Sequence, residues 1–126
     1  MSSKLPKTAL VTGASSGIGR ASAEALARAG FTVFGTSRKP GGTAPNQVTM
    51  LACDVTDDSS VAALVSEVLA RTGRIDVLVN NAGVGMFGGA EESSAAQVQR
   101  LYDVNLFGVV RVINAVLPSM RARGQG

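Results

Sequence analysis

The feature that most constrains this chain is a glycine-containing turn at residues 12–19, TGASSGIG, which joins a short apolar run to a helical pattern. The run, residues 9–11, has the character of a buried strand, and the turn ends it. After the turn, apolar residues repeat at the spacing of one helix face: Ile18, Ala21, Ala25, Leu26 and Ala29. Gly30 ends that helix, and residues 32–36 are mostly β-branched or aromatic, which favours a second strand. Strand, helix and strand in about 30 residues predict a βαβ unit.

The alternation continues after a loop at residues 38–46, which is rich in Gly and Pro. Residues 48–52 predict a third strand. The side-chain oxygens of residues 57–60, DDSS, are suited to cap the start of a helix, and their charges suit its dipole. The apolar face of that helix ends near Gly73 and comprises Val61, Leu64, Val65, Val68 and Leu69.

A fourth strand is predicted from Ile75 and residues 77–79, and a glycine-rich loop follows through Gly89. From about Ser93 the pattern is helical to the end, in two pieces meeting near residues 103–105. The last helix is apolar around too much of its circumference to be a surface helix, so we expect it to need partners on more than one side.

Alternating strands and helices predict an α/β fold with a parallel sheet and right-handed crossovers. If strands one to three grow outward in one direction, the fourth returns to the other side of the first, and ligands bind at that reversal. The expected architecture is a Rossmann-like doubly wound sheet in three αβα layers, with residues 1–126 forming one domain. A domain of this kind usually needs more chain, so we expect it to be C-terminally incomplete.

The composition argues against several classes of function. The net charge is +3 with its basic excess near the glycine turn, but aromatic residues are only 4%, so we expect no nucleic-acid partner. One cysteine and no histidine predict no metal site and fit a reducing, cytoplasmic location. Residues 1–8 carry no signal-peptide pattern. The most apolar segment, residues 104–120, is interrupted by polar residues and predicts a packed helix, not a membrane span.

The glycines of the first turn, Gly13, Gly17 and Gly19, have the spacing G-x3-G-x-G. A phosphate-binding turn needs glycine because its backbone must bend sharply and approach a pyrophosphate without an intervening Cβ. Ser15 and Ser16 add hydroxyl donors. No Gly-Lys-Ser/Thr follows, which excludes a Walker loop. The alternative is an ordinary strand-to-helix loop.

The end of the second strand predicts the cofactor. A domain that selects NAD usually places Asp or Glu about 20 residues after the glycines, to bind the ribose 2′-hydroxyl. This chain has Thr36-Ser37-Arg38-Lys39 there, and a guanidinium is well shaped for a 2′-phosphate. We therefore predict NADP(H), with a solvated loop start as the alternative for Arg38 and Lys39.

Four motifs in order resemble the short-chain dehydrogenase/reductase family: TGASSGIG, Asp54-Val55 after the third strand, the NNAG sequence of residues 80–83 after the fourth, and Val104-Asn105 in the long helix. The resemblance covers essentially the whole chain. It implies hydride transfer between a nicotinamide dinucleotide and a small carbonyl or alcohol substrate.

The resemblance also implies roles for individual residues. Ser37 and Arg38 would hold the 2′-phosphate, Asp54 and Val55 would lie along the adenine, and Val104 would line the cofactor. Asn105 would take the catalytic place of the family's helix asparagine, whose main chain helps hold a water in a proton relay; the alternative is a plain helix kink. The cofactor phosphates would be surrounded by Gly13, Ser15, Ser16, Gly17, Ile18 and Gly19. The two riboses would be approached by Asn80, Ala82 and Gly83, of which Asn80 has a purely structural role as its alternative.

The family's other catalytic residues have no counterpart. Its proton is handled by a tyrosine with a lysine four residues later, whereas here the single tyrosine, Tyr102, is followed by Leu106, and the last lysine is Lys39. A catalytic serine is also missing, since Ser119 lies near the end of the last helix. The alternative function is therefore a non-catalytic nucleotide-binding or interaction module.

The chain stops where the family would begin its fifth strand, which would leave residues 77–79 as an apolar sheet edge. We expect self-association through that edge or the last helix, or completion by another polypeptide. The substrate is not readable from this sequence.

Overall fold

The computed structural model describes residues 5–86 and 88–126. The strands are β1 (Thr8–Val11), β2 (Thr32–Ser37), β3 (Val48–Ala52) and β4 (Val77–Val79). The α-helices are α1 (Gly17–Arg28), α2 (Asp58–Thr72), α3 (Ala95–Tyr102) and α4 (Gly108–Arg123), with a 3₁₀ turn at Ala90–Glu92 and a π-helical turn at Asp103–Phe107.

The strands form one parallel sheet in the order β3-β2-β1-β4. Leu10 in the middle of β1 is paired with Phe34 of β2 on one side and with Leu78 of β4 on the other. After β3 the chain therefore returns to the other side of β1 to form β4, as the element pattern predicted, and a crevice opens where the carboxyl ends of β1 and β4 diverge. The Rossmann-like α/β fold is confirmed.

Side chains of β1 alternate between two apolar cores because successive residues of a strand point to opposite faces. Leu10 belongs to a core shared with α2 and α4, whereas Ala9 and Val11 belong to a core shared with α1. The sheet is thus covered on both faces, which gives the three layers. It also explains why β1 is apolar at consecutive positions.

Helix α2 begins and ends as its sequence predicts. The Asp57 carboxylate accepts hydrogen bonds from the main-chain N–H groups of Ser59 and Ser60, and such a cap contributes about 1 kcal/mol. Gly73 follows the helix with a φ of 74°, a left-handed conformation that glycine adopts without steric cost.

An ionic cluster around Asp76, just before β4, lies at the amino ends of the strands. The Asp76 carboxylate accepts the main-chain N–H of Thr8 at 2.8 Å and two hydrogen bonds from Arg74 at 2.7 Å. Arg123, at the end of α4, adds a third cationic contact at 3.2 Å. These contacts, chiefly those from Arg74, hold the pKa of Asp76 well below its usual range. The cluster ties α4 to the start of the sheet.

The last helix differs from the prediction in one respect. The structure has a continuous helical run, Ala95–Arg123, whose backbone widens into a π turn at Asp103–Phe107 where two pieces were expected to meet. Within the described residues this run of 29 residues is the one helix long and apolar enough to cross a membrane, and 17% of its most apolar window is buried. Core helices of globular proteins pass the same test of length and composition.

One face of α4 packs on the sheet and the other is exposed. Val112 and Val116 are buried in the core shared with α2. On the outer side of α4 and in the π turn before it, large apolar side chains are between 43% and 53% exposed: Leu106, Phe107, Val110 and Leu117. Strand β4 forms one edge of the sheet, and its three residues are half-buried. The long helix therefore has a partner on one side only among the described residues.

Candidate cofactor-binding site

A crevice of about 290 Å³ lies at the carboxyl ends of the strands, at the point where the strand order reverses. Most of the residues proposed from the sequence line it: Gly13, Ser15, Ser16, Ser37, Arg38, Asp54, Val55, Ala82, Gly83 and Val104. Four further residues line it that the sequence analysis did not select: Thr36, Cys53, Asn81 and Val84. The fold thus brings four separate sequence motifs to one concave surface.

Five of the proposed residues do not line the crevice: Gly17, Ile18, Gly19, Asn80 and Asn105. Gly17 begins α1 with a φ of 58°. Ile18 is 79% exposed, so its side chain projects from the first turn of that helix into solvent. Their roles toward a cofactor remain predictions.

The glycine turn is held against the loop that follows β4. Gly13 has a φ of 64°, and a Cβ there would lie 2.8 Å from the Cα of Ala82. A Cβ on Gly19 would overlap the carbonyl oxygen of Gly13 and the side-chain nitrogen of Asn81. Both glycines are therefore required by close packing, and this packing keeps the turn open toward the crevice.

Thr12 and Asn81 fasten this junction. The Thr12 hydroxyl oxygen accepts hydrogen bonds from the main-chain N–H groups of Asn81 and Ala82, each at 3.0 Å. The Asn81 side chain in turn donates to the carbonyl oxygen of Gly13 at 2.8 Å. Neither residue was predicted from the sequence as a positioning group, although an amide side chain directly after the fourth strand was an available signal.

Asn80 lies on the other side of β4. It lines a groove of about 460 Å³ between β4 and α4, together with Leu78, Val116 and Leu117. Asn81, the next residue, lines the crevice instead. The approach of Asn80 to the cofactor riboses therefore stays a prediction, as does its alternative, a purely structural role.

The end of β2 presents a hydroxyl and a guanidinium to the crevice. Among the described residues, the buried hydroxyl oxygen of Ser37 has no hydrogen-bond partner, which is unusual for a buried polar group. Arg38 is exposed and lies at the crevice wall. Arg20, the cation beside the glycine turn, instead donates to the carbonyl oxygens of Thr43 and Ala44 and holds the following loop.

Asp54 lies on the opposite wall, after β3. Its carboxylate accepts hydrogen bonds from the hydroxyl and the main-chain N–H of Thr56, at 2.7 and 3.0 Å. These bonds lower the pKa of Asp54, with smaller contributions from Arg38 and Arg111. The neighbouring Cys53 thiol is buried, and burial raises its pKa. Asp54 is therefore charged at neutral pH, whereas Cys53 is a protonated part of the wall.

The π turn carries two of the proposed residues. Val104 lines the crevice directly. Asn105 binds the loop after β4 with both side-chain atoms: its oxygen accepts the N–H of Val84 and its nitrogen donates to the carbonyl oxygen of Val84, each at 2.8 Å. The side chain of Asn105 is therefore occupied in positioning this loop, while its proposed main-chain role is untested.

Among the described residues, no tyrosine and lysine are paired in the way that the family's catalytic pair requires. Tyr102 is 52% exposed and has no lysine four residues later in the sequence. No group of His, Cys, Asp and Glu suited to hold a metal ion occurs in the described part of the chain.

A parallel sheet with reversed strand order, and a glycine-lined crevice at the reversal, define the dinucleotide-binding class of α/β proteins. The family model described as "short chain dehydrogenase" matches residues 7–126. The chain belongs to this family of oxidoreductases, which use nicotinamide cofactors.

Individual proteins of known sequence or structure are also similar to this chain. The 3-ketodihydrosphingosine reductase of Bacteroides thetaiotaomicron is 44% identical over 96% of this chain and 45% of its own length. A short-chain dehydrogenase from Streptomyces avermitilis is 44% identical with a TM-score of 0.89, over 98% of this chain and 48% of its own. A metagenomic short-chain oxidoreductase solved in complex with NADP is 38% identical with a TM-score of 0.86, over 95% of this chain and 59% of its own. The chain spans less than half the length of the first relative.

Proposed function

We propose that this chain binds NADP(H) in the crevice, as the cofactor-binding part of a dehydrogenase/reductase that transfers hydride between NADP(H) and a carbonyl or alcohol substrate. The observation that carries the proposal is the end of β2, where Arg38 and Ser37 line the crevice and the Ser37 hydroxyl has no hydrogen-bond partner among the described residues. An NAD-selective domain would place a carboxylate at this position. The NADP complex of a similar solved protein supports the same choice.

The walls of the crevice suit the other parts of a dinucleotide. The pyrophosphate would lie on the glycine turn, where Gly13 packs directly on Ala82 and Gly17 begins α1. The hydroxyls of Ser15 and Ser16 would add donors without adding charge. With Arg20 engaged by the loop after β2, Arg38 is the guanidinium available at the crevice wall for a phosphate.

The remaining walls would hold the adenosine and direct the nicotinamide. Asp54 and Val55 would border the adenine on one side, and Val104 on the other. Asn81 and Gly83 would approach the riboses. The bound cofactor supplies the hydride; Asn105 would fix the loop at Val84 beneath it and offer its main chain to a proton-relay water.

A titration of the purified chain with NADPH and NADH tests this proposal. We expect tighter binding of NADPH, and competition by adenosine 2′,5′-bisphosphate but not by adenosine 5′-monophosphate at the same concentration. Equal affinity for the two dinucleotides would refute the assignment to NADP(H). Absence of binding by either would refute the cofactor site itself.

The second candidate is a non-catalytic nucleotide-binding or interaction module, and the exposed Tyr102 without its lysine favours it. The two candidates share the crevice and differ in turnover. Incubation with NADPH and a panel of ketones and aldehydes distinguishes them. We expect no NADPH oxidation by this chain alone, and measurable turnover would contradict the inference that its sequence lacks the catalytic residues.

We also infer that further polypeptide covers the edge of β4 and the outer face of α4, either a second copy or a continuation of the protein. The exposed apolar side chains of this face, such as Phe107 and Leu117, support the inference. Light scattering coupled to size exclusion tests it for the second copy, since we expect a mass above that of the 12.8 kDa monomer. A cytoplasmic location remains a proposal that rests on the single reduced cysteine.

A further inference from the structure

Arg111 joins the two walls of the crevice that come from distant parts of the chain. Its Nη1 atom donates to the carbonyl oxygen of Val55 at 3.2 Å and to the carbonyl oxygen of Asp103 at 3.3 Å. The same nitrogen lies 2.7 Å from the Asp103 carboxylate, and Nε lies 3.1 Å from the Asp58 carboxylate. One guanidinium therefore contacts the turn after β3, the start of α2 and the π turn.

The π turn makes such a contact possible. Its widened backbone has Gly108 donating its N–H to the Asp103 carbonyl, the same oxygen that Arg111 reaches. Gly108 is also tightly packed on the turn after β3, because a Cβ there would lie 2.7 Å from Cγ2 of Val55. π turns are rare and concentrate at functional sites. Here the turn places Val104 in the crevice and Asn105 against Val84.

We propose that Arg111 is a positioning residue for the cofactor, which holds the adenine wall at Val55 in register with the π turn that carries Val104 and Asn105. The inference rests on the proposed binding of NADP(H). Arg111 does not line the crevice itself, so it acts through the residues that it fixes. Its planar fork suits the task, because several acceptors are bound by one rigid group.

A role in overall stability alone predicts a different result. The Asp58 side chain is 90% exposed and that of Asp103 is 37% exposed, and ion pairs with exposed partners contribute little to folding. Loss of the guanidinium should therefore change the urea midpoint only slightly. Its effect should instead appear in cofactor affinity and in the local protection of the β3 end, where the single cysteine, Cys53, is buried.

The test compares Arg111→Met, which keeps the apolar stem, with Arg111→Lys and with Arg121→Met as the matched control. Arg121 lies on the last turns of the same helix and is exposed. NADPH affinity and the rate of Cys53 labelling by Ellman's reagent are measured in conditions where urea curves show every variant to be folded. We expect Arg111→Met to weaken NADPH binding by roughly 2- to 30-fold, the range for coupling residues outside a site.

Labelling of Cys53 should accelerate in the same variant, because a thiol reacts only when its local structure opens. Arg111→Lys should be intermediate, since one ammonium can keep Asp103 but cannot also hold Val55 and Asp58. Arg121→Met should leave both readouts unchanged. Should Arg111→Met not fold, Arg111→Lys and Asp103→Asn carry the same comparison.

Native affinity and native Cys53 labelling in Arg111→Met would overturn the proposal, and so would equal changes in Arg111→Met and Arg121→Met. If the native chain binds no dinucleotide, the proposed function fails. The labelling rate of Cys53 then decides by itself whether Arg111 holds the two walls together.

Discussion

Reversing the charge of Arg38 is the sharpest test of cofactor selection. The guanidinium lies at the crevice wall after β2 and is exposed, so its replacement should not disturb the core. A hydrogen bond to a charged group contributes about 1.5–3 kcal/mol. Since each 1.4 kcal/mol is a factor of ten, Arg38→Ala should weaken NADPH binding by roughly 10- to 150-fold.

Arg38→Asp should weaken NADPH binding further, because its carboxylate would repel the 2′-phosphate and adds to the nearby charge of Asp54. The same carboxylate is suited to accept a hydrogen bond from the 2′-hydroxyl of NADH. NADH affinity should therefore change little or improve, and the ratio of the two dissociation constants should reverse.

Lys39→Asp is the matched control, since it makes the same charge change one residue later and does not line the crevice. Both dissociation constants are measured by isothermal titration calorimetry at fixed ionic strength, because screening affects exposed charges. Equal losses for NADPH and NADH in Arg38→Asp, or the same preference change in Lys39→Asp, would refute the argument that Arg38 reads the 2′-phosphate.

Three further predictions concern the frame of the site. Gly19→Ala should unfold at lower urea than the native chain, since its Cβ would overlap the Gly13 carbonyl, and overpacking of this kind costs about 1–3 kcal/mol. Asp76→Asn should lower the free energy of unfolding by about 3 kcal/mol and flatten its dependence on pH. Because the pKa of Asp76 is depressed in the folded chain, its carboxylate stabilises the fold above about pH 4, and this contribution is lost as the pH falls. Asn105→Ala should lose two hydrogen bonds to Val84, each contributing about 1 kcal/mol, and weaken NADPH binding.

Each of these predictions has its own control. Gly41→Ala, in open loop space, should leave the urea midpoint unchanged, and an equal loss there would contradict the steric argument for Gly19. A native pH profile in Asp76→Asn would show that the carboxylate is not responsible for acid sensitivity. Native NADPH affinity in Asn105→Ala would show that the position of Val84 does not matter for binding.

Most of the fold could be predicted from features of the sequence that act over a few residues. Glycine spacing, β-branched runs and the cap at Asp57 each act within a few residues, and the structure confirms the order of strands and helices that they imply. The position of Ser37 and Arg38 in the crevice was equally predictable, because they stand at the end of β2, and the ends of the strands line the crevice.

The loop after β4 was only partly readable. The sequence predicted a cofactor role for Asn80, which lines the groove between β4 and α4, whereas the side chain of Asn81 binds the glycine turn. The expected meeting of two helices near residue 103 became a continuous helix with a π turn. Nothing in the local sequence distinguishes these outcomes, because each depends on contacts with residues far along the chain.

The amino-acid sequence by itself determined a parallel α/β sheet, a glycine-containing turn after β1 and a basic residue at the end of β2. These features depend on residues close together in the chain. Only the tertiary structure decided which side chains face one another across the crevice. Arg111 illustrates the division: the sequence shows it only as a polar interruption of the apolar segment 104–120, yet folding brings it to Val55, 56 positions away in the chain. Contacts at that separation are selected by packing of the whole domain, which no local pattern encodes.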